Sequence, residues 1–209
     1  HMLPNEEKWG KIVSDLGVKN SDYLVIYDNS DAISSCRCWY SFIYFGHDSN
    51  KVSVLDGGLI KWINEKRSTT DKIKKFDKSE YAVIENKSLV KNKKQIEKNI
   101  SSNEFELIDA RSEKRFKGLA PEPRKGLKNG HIKNSKNIPF NECLNKNDRT
   151  FKNKEELKKI FEKQNIDNKN VVFTCGSGVT ACVLGLVNSI ISGKTPVIYD
   201  GSWSEWGKK

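Results

Sequence analysis

Val171-Val172-Phe173-Thr174-Cys175-Gly176-Ser177-Gly178-Val179-Thr180-Ala181 is the stretch that decides the fold. It opens on a β-branched and aromatic run of the length of a buried strand. It then passes through small residues and enters an apolar run, Cys182 to Ile191, of helical length. A strand, a glycine-rich turn and a helix in that order place Cys175 where backbone N–H groups converge. The helix dipole adds partial positive charge there, so the turn favours an anion. A thiolate is such an anion and a good nucleophile. The same residues also fit a buried cysteine beside a turn whose glycines serve only backbone geometry.

The loop excludes two relatives of its kind. A cysteine phosphatase needs an arginine to clamp phosphate oxygens at the position filled here by Ala181. A nucleotide-binding loop needs a Gly-Lys-Ser/Thr ending, which this one lacks. A small, uncharged loop suits a neutral sulfur atom carried on the cysteine better than a phosphate.

Outward from the loop, the 209 residues hold one large domain or two small ones, with core enough to fold without staples. The net charge of +10 raises nucleic acid or an acidic membrane as partners. The lysines, however, are scattered among asparagines (Lys91-Asn92-Lys93-Lys94, Lys146-Asn147, Lys152-Asn153-Lys154) and form no stripe with interleaved aromatics. They read as a solvated surface with a modest pull on anionic substrates, and no nucleic-acid or membrane partner is expected. Five cysteines, an odd number, predict no disulfide framework. A reducing, cytoplasmic compartment is expected, with a mitochondrial one as the alternative. Cys143 and Cys182 read as structural, and Cys36 and Cys38 form no metal motif with the three histidines.

Val171 to Gly193 carries no charged residue, which meets the length criterion for a bilayer span. The early cluster Gly176, Ser177, Gly178 and Thr180 favours a buried strand, loop and helix instead. Alternating patterns along the chain predict an α/β fold with parallel sheets flanked by helices. Helices are expected at Glu6–Leu16, at about Ala32–Phe45, as a short one ending at Glu65 after the glycine turn Asp56-Gly57-Gly58, and at Glu155–Lys163. Strands are expected at Tyr23–Tyr27, Val52–Leu55, Phe105–Asp109 and Val197–Tyr199. Asp56-Gly57-Gly58-Leu59 with Trp62 echoes Asp200-Gly201-Ser202-Trp203 with Trp206. Val25 to Asp28 likewise echoes Val172 to Cys175, an acid standing for the cysteine, which predicts internal duplication.

The loop CGSGVTA, the closing run YDGSWSEW (Tyr199 to Trp206) and RFKGLAPEPRKG (Arg115 to Gly126) resemble the tandem rhodanese family. So do HMLP at residues 1–4, VIYDNSD (Val25 to Asp31) and LDGGLIKW (Leu55 to Trp62), and the likeness covers nearly the whole chain. It implies two rhodanese-like domains. Residues 1–67 are expected to be a partial, non-catalytic one, 68–94 a linker with a short extended piece at Tyr81–Ile84, and 95–209 the catalytic one. In the family further elements, ending in an aspartate, precede the HMLP segment, so the first sheet is expected to be incomplete and to expose an edge and apolar surface.

The resemblance implies a sulfurtransferase that moves sulfur from 3-mercaptopyruvate, through a persulfide on Cys175, to a thiol acceptor such as thioredoxin or to cyanide. Pyruvate is released, and no metal or organic cofactor is needed. Arg115 and Arg124 match the family's substrate-binding arginines, and Arg37 another arginine near the cleft. Gly176, Gly178, Val179 and Thr180 would cradle the sulfur. Ser177 with His1 would relay a proton, the family's aspartate being absent. Spacing alone favours Arg115 and Arg124 as ordinary surface or ion-pair residues beside Glu113 and Glu122, and Arg37 reads as a partner for Asp28 or Asp31. Asp109 reads as a loop-fixing acceptor and His131 as structural; Lys133 and Asn134 replace the family's proline and glycine. The alternatives are a thiosulfate sulfurtransferase, which would want cations inside the loop, and a non-catalytic interaction or redox-sensing module.

Overall fold

The computed structural model describes residues 1–166 and 170–209. Two parallel sheets result, each built by strands separated by helices. In the first half α1 (Glu6–Asp15) leads to β1 (Leu24–Ile26), α2 (Ser35–Tyr44), β2 (Val52–Val54) and α3 (Gly58–Asn64). Asn5 caps α1 by accepting the Lys8 amide, and Glu6 and Glu7 meet the positive end of its dipole. β1 and β2 pair in parallel as a two-stranded sheet.

The second half runs β3 (Val90–Lys91), α4 (Lys93–Ser102), β4 (Glu106–Asp109), α5 (Glu113–Phe116), β5 (Lys136–Asn137), α6 (Lys154–Glu162), β6 (Val171–Thr174), α7 (Ala181–Ser192), β7 (Val197–Tyr199) and α8 (Ser202–Trp206). Its five strands lie in the order β3-β7-β6-β4-β5, all parallel. The period of two decides which side each residue covers. Leu107, Val172 and Tyr199 pack with Ile96 of α4 and Trp203 of α8 on one face. Ile108, Phe173 and Ile198 face α6 and α7 on the other, among Leu157, Phe161 and Leu184. The long uncharged stretch is thus a strand, a loop and a helix. Among the described residues no helix is long and apolar enough to cross a membrane.

That second core does not stop at the sheet it covers. α2 packs on α7, and Tyr40, Phe42 and Phe45 belong to the same cluster of buried side chains as Val183 and Val187. Trp9 stacks on Phe45 and meets Phe42 edge-on, closing the first half around α2.

One boundary differs from expectation. Val90–Lys91, inside the stretch read as a linker, is an edge strand paired to β7. The piece expected to be extended at Tyr81–Ile84 joins neither sheet; Tyr81 is buried, its hydroxyl 2.9 Å from His47 Nδ1, and the Ile84 amide reaches the Phe45 carbonyl. α4 was not foreseen. Its sequence, KKQIEKNISS, offers one buried apolar residue, Ile96, and its start is fixed by a capping box between Asn92 and Gln95. On the first sheet Tyr23, Val25 and Tyr27 are exposed, alternating with half-buried Leu24 and Ile26.

The duplication is structural. Ile26 pairs with Val54 as Phe173 pairs with Ile198. The Leu59 amide donates to the Asp28 carbonyl at 3.0 Å, and the Trp203 amide to the Cys175 carbonyl at 2.9 Å. Asp28 therefore holds in the first half the place of Cys175 in the second.

Candidate active site

Cys175 lies at the carboxyl end of β6, where open α/β sheets place their ligand sites. It is 2 % exposed. Its amide donates to the Ser202 hydroxyl at 3.2 Å, and that hydroxyl donates to the Tyr199 carbonyl at 2.8 Å. The turn after β7 thus pins the cysteine from beneath. The Ser204 and Trp203 amides hold the carbonyls of Gly176 and Cys175, each at 2.9 Å. The Ser177 amide points at the Cys175 sulfur from 3.5 Å. The amides of Gly178, Val179 and Thr180 have no acceptor among the described residues. Gly178 takes φ of 75°, which turns the chain from this row of amides into α7.

Arg115 and Arg124 both reach the loop. A side chain at Gly176 would bring its Cβ to 3.1 Å from Arg115 Nη2 and 3.8 Å from Arg124 Nη1. The two differ in company. Arg115 is tied to Glu122, whose side chain is 3 % exposed and also takes Arg111. Arg111 is fully buried between Asp109 and Glu122, with its guanidinium 4.2 Å from the Trp203 ring centre. Asp109 accepts the Arg111 amide at 2.9 Å, the loop-fixing role expected of it. Arg124 meets no carboxylate among the described residues; its Nη2 lies 3.2 Å from both His1 Nδ1 and Ser177 Oγ. His1 Nδ1 and Ser177 Oγ are themselves 2.8 Å apart.

Arg37 lies at the cysteine loop, near the cleft as the resemblance implied, and pairs with neither Asp28 nor Asp31. Asp28 accepts from Ser30 and Ser34, and Asp31 pairs with Arg149. Arg37 pairs instead with Asp200 and donates to the Gly178 carbonyl at 3.3 Å. It braces the loop from the first half, and both its terminal nitrogens are occupied by protein. Cys182, one helical turn on, donates to the same carbonyl at 3.1 Å. Burial pushes its thiol up to about 12, against the pull of Arg37, which suits the structural role expected of it.

His131 stacks on Phe116 and bonds its carbonyl, also a structural part. Asn134 takes φ of 65° where the family has glycine, so the turn survives the replacement. Asp200, Ser202 and Arg111 were not singled out from the sequence, whereas Glu122 was named there as an ion-pair partner and does pair with Arg115. The Asp200-Gly201-Ser202 echo of residues 56–58 marked the turn without its task.

Residues 92–209 match the family described as "Rhodanese-like domain". A 3-mercaptopyruvate sulfurtransferase of Mus musculus is 40 % identical over 210 residues, 99 % of this chain and 69 % of the relative. A thiosulfate sulfurtransferase of Rattus norvegicus is 37 % identical over 212 residues, covering 100 % and 70 %. The crystal structure of SseA from Escherichia coli, presented with the "rhodanese" fold of 3-mercaptopyruvate sulfotransferases, superposes with a TM-score of 0.85 at 30 % identity. It covers 98 % of this chain and 76 % of SseA. A cysteine on an amide-lined turn, in a fold and sequence shared with these enzymes over almost all its length, leads to one conclusion: the chain belongs to the rhodanese family and is a sulfurtransferase.

Proposed function

We propose that this sulfurtransferase takes its sulfur from 3-mercaptopyruvate and carries it as a persulfide on Cys175. The observation that carries the choice of donor is the charge around the loop. Arg115 and Arg37 each face a carboxylate, Glu122 and Asp200, and Arg124 faces none among the described residues. One uncompensated cation suits a donor with one carboxylate; doubly anionic thiosulfate would call for more.

In the proposed reaction the Cys175 thiolate attacks the donor sulfur. The carbon–sulfur bond breaks and its electron pair passes to carbon as the enolate of pyruvate. The proton of the donor thiol moves to that carbon through Ser177 and His1, leaving pyruvate and a deprotonated persulfide. Arg124, with Arg115 beside it, holds the carboxylate and ketone, stabilising the developing charge. The amides of Gly178, Val179 and Thr180 support a role in receiving the outer sulfur. A thiolate acceptor, of which thioredoxin is an example, or cyanide then attacks that sulfur and releases Cys175.

The test is release of pyruvate and sulfide from 3-mercaptopyruvate with excess dithiothreitol, beside thiosulfate with cyanide, for the chain, Cys175→Ser and Arg124→Ala. Turnover of 3-mercaptopyruvate that Cys175→Ser abolishes, with a raised KM in Arg124→Ala, is the expected result. Equal or better use of thiosulfate would overturn the choice of donor. No turnover by the folded chain on either donor would point to a non-catalytic rhodanese module.

A further inference from the structure

Arg37 and Asp200 meet where three separate stretches of chain converge. Arg37 comes from the start of α2 with its side chain 11 % exposed, and Asp200 follows β7 with its side chain 6 % exposed. Both carboxylate oxygens of Asp200 and both terminal nitrogens of Arg37 are used. Asp200 Oδ1 takes Arg37 Nη2, and Oδ2 takes the Leu3 amide at 2.9 Å. Arg37 Nη2 also donates to the His1 carbonyl at 3.0 Å, and Nη1 to the Gly178 carbonyl. The backbone of residues 1–3 is thereby fastened at two points to the same ion pair. Ordering an exposed stretch costs conformational entropy. Here His1 and Met2 are both exposed, and these bonds offset that cost. The outcome is the 2.8 Å approach of His1 to Ser177.

We propose that Asp200 is a positioning residue for sulfur transfer: through Arg37 and the Leu3 amide it fastens His1 to Ser177 and fixes the Gly178 carbonyl, without touching the donor. A carboxylate is needed because it accepts on both oxygens at once while balancing a buried guanidinium. An arginine is needed because its fork reaches three acceptors on different segments. The proposal rests on Cys175 as the sulfur carrier and on His1 and Ser177 as its proton relay.

The experiment compares Asp200→Asn, Arg37→Lys, His1→Gln and the double variant Asp200→Asn/His1→Gln for turnover of 3-mercaptopyruvate. Misplacement of a relay by an ångström costs about a hundredfold in rate, so kcat of Asp200→Asn should fall by that order with KM little moved. Because Asp200 acts in large part through His1, the loss in the double variant should fall well short of the product of the single losses; fully multiplied losses would overturn the proposal. Arg37→Lys keeps a cation beside Asp200 but loses the fork. It should fold like the parent and lose rate like Asp200→Asn, and an Arg37→Lys at full rate would also overturn it. Alkylation of Cys175 by iodoacetamide needs no donor and keeps this test separate from the choice of substrate. Release of the Gly178 carbonyl should speed it severalfold in Asp200→Asn, even if 3-mercaptopyruvate proves the wrong donor. Unchanged alkylation in a folded Asp200→Asn counts against the proposal.

Discussion

Glu122 grips Arg115 with both carboxylate oxygens, Oε1 on Nε at 3.2 Å and Oε2 on Nη2 at 2.6 Å, while Oε1 also takes Arg111. One buried acid thus serves two cations and leaves Arg115 beside the loop with its charge largely balanced. Glu122→Gln removes that balance. An extra unit charge ~8 Å from the donor is worth roughly 2 kcal/mol at an effective dielectric near 20, before solvent screening reduces it. The ratio of kcat/KM for thiosulfate over that for 3-mercaptopyruvate should therefore rise by about tenfold. The ratio is the proper measure because both donors see the same folded fraction. An unchanged ratio would show that Arg115 is not sensed by the donor.

Arg111 is the other member of this network. Its side chain is fully buried and paired with both Asp109 and Glu122. Arg111→Met keeps much of the volume against Trp203 but strands carboxylate charge in the interior. Breaking one side of a buried pair costs about 3–5 kcal/mol, so unfolding by urea should show a loss of that order. A loss under ~1 kcal/mol would mean that water or a rearranged side chain takes its place.

Two glycines with nearly the same backbone angle separate strain from crowding. Gly178 has φ of 75° and Gly126 φ of 79°. A Cβ on Gly178 would sit 3.1 Å from Arg37 Nη1 and from two oxygens of Asp200, whereas at Gly126 nothing lies within 4 Å. Gly126→Ala should cost only the left-handed penalty, about 1–2 kcal/mol, and keep its turnover. Gly178→Ala should lose more stability and most of its activity, as measured by thermal unfolding and initial rate.

Asp28 stands where the other half has its cysteine. Burial raises its pKa, but bonds from Ser30, Ser34 and Ser35 outweigh this and hold it below the ordinary 3.8. A carboxyl depressed on folding stabilises above its unfolded value, and that stability is lost as pH falls through the folded one. Asp28→Asn should thus be less stable at neutral pH, by about 1 kcal/mol after screening. The gap should close on acidification through the region below pH 4. A gap constant with pH would assign the effect to lost bonds rather than charge.

The elements written as hydrophobic period were legible in the sequence. β6, α7 and β7 lie within a residue of expectation, because uncharged runs bounded by Gly176–Gly178 and Gly193 admit one reading. α4 and the edge strand Val90–Lys91 escaped it, since their lysine-rich text carries little period and their stability comes from a cap and from β7. In the site, Cys175 is named by local text and Ser177, Arg115 and Arg124 by the resemblance, and they do converge. The partners that hold them are not: Glu122 could be seen near Arg115, but Asp200 is far from Arg37 in sequence. A contact between residues 37 and 200 leaves no local trace in either neighbourhood.

The shared packing of α2 against α7 has a further meaning for how this molecule is partitioned. A cut between the halves would not release a free-standing engine and a spent duplicate. It would uncover the flank of the helix on which the cysteine loop is seated, and withdraw the arginine that braces it. The half with aspartate in the cysteine's place bears weight as a wall for the other. Drift in its sequence should accordingly be limited most where it meets its working twin, and be freest on the strand face carrying Tyr23, Val25 and Tyr27.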